Sequence, residues 1–274
     1  MKIFFLLLLS VFALALQISD TNIDNGRTAL IIFDTNQKVQ KIQVGKKAYK
    51  VFAHPTQKGK SYALLPVSYY DTPKTLKVKM KNEFLFFKIN QGAYAKETIK
   101  VQKSKVNPKS KAVKKRTSKE YAQAMKIYNT ITPVTYVHSK YIVPLQTKIT
   151  SDFGKARVYN GSLKGYHSGT DFRAKVGTPI VASNDAKVVL AEDRFYAGNS
   201  IILDHGEGIY TCYYHLSAFK VQKGMMVKKG QVIGLSGATG RITGPHLHFS
   251  ARVSGIQVDP LQLIRLLNNN LYKD

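Results

Sequence analysis

Two histidines stand two residues apart in Gly244-Pro245-His246-Leu247-His248-Phe249. Their apolar context, with Leu247, Phe249, Ala251 and Val253, predicts a β-strand, in which side chains alternate with a period of two. His246 and His248 then point to the same face. One can bind a metal while the other works on the water that the metal holds. Upstream, His167 and Asp171 stand four apart, but Gly165 and Gly169 speak against a helix. A loop entering a strand Thr170–Arg173 is expected instead. Nitrogen from His167, oxygen from Asp171 and nitrogen from His248 make a donor set that zinc accepts, and catalytic zinc sites keep a fourth position for water. Taken singly, each residue has a plainer reading: a surface histidine, a turn aspartate, a paired H-x-H on a surface.

One further residue could take part, and three others have plainer readings. His215 follows the apolar strand Ile209-Tyr210-Thr211-Cys212-Tyr213-Tyr214, where alternation puts it on the face of Thr211 and Tyr213. A histidine at a strand end beside a metal can orient water and move protons, because its ordinary pKa lies near neutrality. His205, in Asp204-His205-Gly206, reads as a turn residue with no metal role, and His54 before Pro55 as a surface histidine. Cys212, the single cysteine, cannot form an internal disulfide and reads as a small buried residue.

The elements that position these residues follow from the rest of the chain. Its 274 residues suffice for two domains, and 42 basic against 16 acidic residues give a net charge of +26. Such a surface prefers an anionic partner: nucleic acid, anionic lipid or an acidic polymer. After Lys2 the chain is apolar from Ile3 to Leu9 and, past Ser10, on to Leu16, and Ala13-Leu14-Ala15 fits a small-x-small cleavage rule. The run is short for a stable membrane span, so residues 1–15 read as a cleaved signal peptide. Export argues against nucleic acid and leaves the acidic polymer outside a bacterial membrane, the cell wall, with anionic lipid beside it.

Residues 20–101 form a β-rich N-terminal domain. Thr28–Phe33, Ala48–Ala53, Tyr62–Val67, Thr75–Met80 and Glu83–Ile89 read as strands separated by turn signals, which suggests a small β-sandwich. Residues 102–144 form a basic linker and a short helical connector. Nine basic residues and no acidic one lie between Lys100 and Lys119. The capping-box pattern Thr117-x-x-Glu120 opens a helix from Lys119 to about Tyr128. Residues 145–262 are glycine-punctuated strands, and residues 263–274 a C-terminal tail. The fold class is mostly β: a small N-terminal sandwich, a short helical connector, and a C-terminal domain of glycine-punctuated strands.

The series His167-x-x-x-Asp171, Tyr214-His215-Leu216, Val227-Lys228-Lys229-Gly230-Gln231-Val232-Ile233-Gly234, Thr239-Gly240 and Thr243-Gly244-Pro245-His246-Leu247-His248-Phe249 resembles the lysostaphin-type (LytM-like) zinc metallopeptidases. The resemblance covers roughly Thr147 to Pro260. It implies a grooved antiparallel β domain that cleaves peptide bonds in peptidoglycan. It implies Zn2+ on His167, Asp171 and His248, with His215 and His246 as the catalytic pair. Many members carry Glu where this chain has Ser250, a position that is not a ligand. Some carry a tyrosine that steadies the transition state, for which Tyr159 and Tyr166 are the candidates. The added domain resembles Gram-negative wall hydrolases. This implies D,D-endopeptidase action on the D-alanyl–diaminopimelate crosslink, with D,D-carboxypeptidase action as a second option. The N-terminal half or the connector is then expected to cover the groove and restrain the enzyme. Relatives that have lost zinc ligands activate other wall hydrolases, and this is the non-catalytic alternative. A lipoyl-type carrier, suggested by Lys228-Lys229-Gly230-Gln231, is disfavoured by export.

Overall fold

The computed structural model describes residues 16–99, 110–159 and 161–272. The expected signal peptide, residues 1–15, the last two residues of the expected N-terminal domain, 100–101, and the first part of the expected linker, 102–109, lie outside the described residues.

The N-terminal part is two sheets packed face to face. One contains Gln17–Ile18, Thr28–Asp34, Lys60–Pro66 and Phe52–Ala53, in that order. The other is ordered Asn22–Asp24, Glu83–Asn90, Lys74–Met80, Lys41–Val44 and Lys47–Lys50. Alternation decides what lies between them: Ile31, Phe33 and Leu65 from the first sheet meet Ile42, Val78, Met80, Phe87 and Ile89 from the second. The expected strand Ala48–Ala53 is two strands. Lys47–Lys50 belongs to one sheet and Phe52–Ala53 to the other, so the chain crosses the sandwich at Val51.

Strand Thr28–Asp34 is buried on both faces. Its even positions, Leu30 and Ile32, join Tyr62 and Leu64 in a second core that also holds Phe172, Tyr213, Leu247 and Phe249 of the C-terminal sheet. The sandwich is therefore packed onto the C-terminal part through a shared apolar core. The expected C-terminal tail supplies much of that core. It is a helix, Pro260–Asn270, capped by Asp259, whose Oδ1 accepts from the amides of Leu261 at 2.9 Å and Gln262 at 3.1 Å. Proline at its first turn and the spacing of Leu263, Ile264, Leu266 and Leu267 direct one face inward.

The connector also differs from expectation. Its helix runs Lys111–Tyr128, with Ser110 as the N-cap, so half of the basic run is helical. Thr117 is an interior residue, and its hydroxyl donates to the Lys114 carbonyl at 3.1 Å instead of capping. Lys, Ala and Arg are strong helix formers, and the Arg116–Glu120 pair supports the helix at i,i+4 spacing with 2.6 Å between charges. Among the described residues no helix is long and apolar enough to cross a membrane.

The C-terminal part is a ten-stranded antiparallel sheet. Its main path runs Ile149–Ser151, Thr170–Arg173, His246–Val253, Ile209–Phe219, Gly198–Asp204, Ala186–Arg194 and Met226–Val227. Beside it lies a small sheet in which Lys96–Ile99, arriving from the sandwich, pairs in parallel with Ala156–Tyr159. That strand has no distinctive pattern in the sequence, and it brings an N-terminal carboxylate, Glu97, to the edge of the site.

Leu267 is 1% exposed between the two parts. Leu267→Ala is expected to destabilise the whole molecule by about 2–5 kcal/mol, the usual cost of a leucine-sized cavity, measured by urea unfolding.

Candidate metal centre

Sheet register brings the first two candidate residues together. Asp171 pairs directly with His248 across neighbouring antiparallel strands, so their side chains share a face. His167 enters from the loop before the Thr170–Arg173 strand. Its Nδ1–H donates to the Asp152 carbonyl at 2.8 Å, which leaves Nε2 free to face the other two. His167 Nε2 and Asp171 Oδ1 are 2.9 Å apart, His248 Nδ1 and Asp171 Oδ1 2.8 Å, and His167 Nε2 and His248 Nδ1 3.0 Å. Three donors on a tetrahedral zinc at about 2.1 Å would stand about 3.4 Å apart. A modest outward shift accommodates the ion, and two imidazoles with a carboxylate are a donor set zinc accepts. The three form the one group of potential metal-binding side chains found among the described residues.

The protonation states suit binding. Burial works against the charge of Asp171, but hydrogen bonds and the field of His167 and His248 outweigh it and hold the carboxyl well below the usual range. Burial pushes His248 down to about 4 against the pull of Asp171, so its imidazole is neutral near pH 7. Metal ligands need this pair of states, an ionised carboxylate and a neutral ring. Sequence reasoning missed Arg157, whose Nη2 lies 3.2 Å from Asp171 Oδ2, and Glu97, which accepts from Arg157 Nε at 3.3 Å. Arg157 holds the second carboxylate oxygen, so Oδ1 alone turns to the centre.

The remaining two histidines flank this group. His246 Nε2 lies 3.6 Å from Asp171 Oδ1, and its Nδ1–H donates to the Gly244 carbonyl at 2.9 Å. The His215 ring is 5.0 Å from that of His246 and 6.1 Å from that of His248. Simple alternation misplaces His215. Thr211 and Tyr213 face the opposite side of the sheet, in a buried hydroxyl network with Ser183. Tyr214, paired with His248, is on the site face, and His215 reaches that face because its backbone is left-handed, at φ +62°. A non-glycine residue held there is strained, and such strain gathers at functional sites. Its Nδ1–H donates to the Thr239 carbonyl at 2.8 Å. Burial, then the neighbouring His248 and His246, lower its pKa to about 3, so it is neutral.

The other histidines are elsewhere. His205 is buried with both nitrogens engaged, Nδ1 by the Asp185 carbonyl and Nε2 by Thr211 Oγ1. His54, expected on the surface, is 6% exposed, because the C-terminal helix end closes over it and the Asn270 carbonyl lies 3.2 Å from Nε2. Cys212 is buried. Tyr166 stacks on Tyr69 of the sandwich at 3.8 Å, with Tyr70 and Phe153 around it. The side chain of Tyr159 lies outside the described residues.

The geometry is that of a His–Asp–His metal centre on an antiparallel β-sheet, with two more imidazoles at its mouth. Residues 165–260 match Peptidase family M23. The chain carries a domain of that family. Over 167 residues it is 37% identical to peptidoglycan DD-endopeptidase ShyA of Vibrio cholerae serotype O1, a stretch that is 54% of this chain and 39% of that protein. Over 116 residues it is 45% identical to peptidoglycan DD-endopeptidase ShyB of the same organism, covering 42% of this chain and 27% of that protein. The chain thus spans well under half the length of these curated relatives. A crystal structure assigned to peptidase M23 from Pseudomonas aeruginosa superposes with a TM-score of 0.66 at 25% identity, covering 86% of this chain and 93% of that one. That likeness reaches beyond residues 165–260 into the sandwich.

Gly169 shows how tightly the centre is packed. A Cβ there would lie 2.4 Å from the Phe249 carbonyl oxygen and 2.7 Å from His248 Nε2. Gly169→Ala is expected to displace His248 and weaken the binding of a divalent metal at least ~10-fold, the scale on which positioning groups around a metal act. Competition against a chromophoric chelator measures it.

Proposed function

We propose that the chain is a zinc-dependent peptidoglycan hydrolase that cuts peptide crosslinks of the bacterial wall. Its main activity on this reading is D,D-endopeptidase, with D,D-carboxypeptidase second. One observation carries the proposal: His215 and His246 flank the His–Asp–His cluster, each ring anchored through Nδ1–H on a main-chain carbonyl. The names of the two Vibrio relatives support the substrate, and the excess of basic charge suits an anionic wall polymer. We place the mature chain in the periplasm, where the apolar N-terminal run would deliver it.

His167, Asp171 and His248 would hold the zinc. A bound zinc ion supplies Lewis acidity, which lowers the pKa of water toward 7 and polarises a scissile carbonyl. The protein's own residues handle the protons. Both flanking rings donate Nδ1–H to main-chain carbonyls, so Nε2 is the nitrogen left to exchange a proton. One of them takes the proton of the attacking water. Once protonated, a ring becomes a donor and can serve the leaving amine or the developing oxyanion. His215 and His246 divide these roles. His205, fully engaged in the interior, takes no part.

The connector helix supports a restraint on access. It lies on the sheet face that carries the centre, clipped to the end of strand Ala186–Arg194 and the residue after it. Arg116 pairs with Asp193 at 2.8 Å, and Glu120 accepts from the Phe195 amide at 3.0 Å. Arg116→Ala combined with Glu120→Ala is expected to raise the rate of sacculus digestion at least threefold. An unchanged rate removes the restraint from this account.

Digestion of purified peptidoglycan with mass analysis of the fragments tests the main reading. The wild type should convert crosslinked dimers to monomers. His248→Ala should lose both zinc and activity. His246→Ala should keep stoichiometric zinc while turnover falls by ~10²-fold or more, the range expected for a general acid–base group. Crosslinks left intact by the zinc-loaded wild type would refute the hydrolase and favour a non-catalytic activator.

A further inference from the structure

The site face of the His246–Val253 strand continues past the metal centre. With a period of two, His246, His248, Ser250 and Arg252 share that face, and about 13 Å of strand separates the Cα atoms of His248 and Arg252. There the connector helix closes over the sheet and leaves a cavity of about 320 Å³, within the range that holds small ligands. Ser168, Arg194, Tyr196, Tyr214, Arg252 and Gln257 line its sheet side. The cavity abuts the centre. Ser168 follows His167 in the chain, and the Tyr214 ring is stacked on His248 at 5.4 Å.

Its charge is not balanced from within. Arg252 donates from Nη1 to the Gly255 carbonyl at 2.7 Å and lies over the Tyr128 ring at 4.3 Å. Arg194 donates from Nη2 to the Glu120 carbonyl at 2.6 Å. The Nε atoms of both are buried without a hydrogen-bond partner. Neither guanidinium meets a carboxylate among the described residues, although each is half-buried. Glu120, the carboxylate in the lining, is already engaged by Arg116 and by the Phe195 amide. Two half-buried cations that meet carbonyls and one tyrosine ring, but no carboxylate, leave buried N–H groups unpaired, and a carboxylate placed against them would accept from the guanidinium forks.

We propose that this cavity seats a free carboxylate of the peptide substrate, held by Arg252 and Arg194, a few residues from the bond that is cut. The proposal rests on the peptidase reading above and adds a specificity to it. Acidic stem peptides are preferred over amidated ones, and the preference resides in these two side chains.

Calorimetric binding and cleavage kinetics of the zinc-loaded full chain test it. The probes are a crosslinked stem-peptide dimer with free carboxylates and its fully amidated counterpart. The wild type is expected to bind the acid form at least tenfold more tightly and to show the same ratio in KM. Arg252→Gln should raise KM for the acid form about tenfold, hold kcat within twofold, and leave KM for the amide unchanged. Arg252→Lys should recover part of the difference. Arg194→Gln should show the same selective loss and carries the test should Arg252→Gln fail to fold. Equal binding of the two forms by the wild type, or equal losses on both in the variants, overturns the proposal. The binding arm separates it from the hydrolase reading. Selective binding without cleavage leaves the carboxylate seat standing and refutes the peptidase, whereas unselective cleavage does the reverse.

Discussion

Everything at this site depends on three polar donors being forced together in a buried place. Asp171 has only 8% of its side chain exposed, and its Oδ1 lies within 3 Å of two imidazole nitrogens. An ionised carboxylate removed from water is tolerated only where donors or cations replace its hydration. Arg157 and the two rings do so here. A divalent cation in their midst would do it better, since it turns three crowded donors into three ligands. The sheet enforces the crowding. A slip of one residue in the pairing of Thr170–Arg173 with His246–Val253 would turn both histidines of the H-x-H away from Asp171. Core packing of Leu247 and Phe249, which alternate with them, opposes that slip.

The surrounding fold protects this register and narrows its surroundings. The sandwich is joined to the sheet that carries the centre by an apolar core, sealed by the C-terminal helix, and by the strand that carries Glu97. The connector helix buries Ala124 and Tyr128 on the site face, and its tyrosine hydroxyl lies 3.1 Å from that of Tyr214. The Tyr214 ring in turn backs His248. Elements distant in sequence thus bear on one imidazole, which gives the N-terminal half a direct influence on the centre.

Much of this was legible in the sequence because local chemistry carried it. The period of two around Leu247 and Phe249 placed His246 and His248 on one face, and alternation in Lys74–Met80 placed Val78 and Met80 inside the sandwich. The glycines around His167 argued for the loop. What escaped was set by tertiary contact or by a single backbone angle. The left-handed turn at His215 reverses the face that alternation assigns, and nothing in Tyr-Tyr-His-Leu announces it. The parallel pairing of Lys96–Ile99 depends on residues 60 positions away, as Glu97 with Arg157 illustrates. The early start of the connector helix was hidden by its charge, because a run of lysines reads as solvated linker even where its residues are good helix formers. The C-terminal helix does carry a local signal, since Asp259-Pro260 before a leucine-rich stretch is a helix start.

The central claim is that one divalent cation sits between His167, Asp171 and His248 with a coordination position to spare. X-ray absorption at the zinc edge of the purified full chain measures this directly. The account predicts one zinc per chain, with two imidazole nitrogens and a carboxylate oxygen at about 2.0–2.2 Å and one further light-atom ligand from solvent. Absence of bound zinc, or a coordination shell filled by protein with a different count of imidazoles, would contradict it.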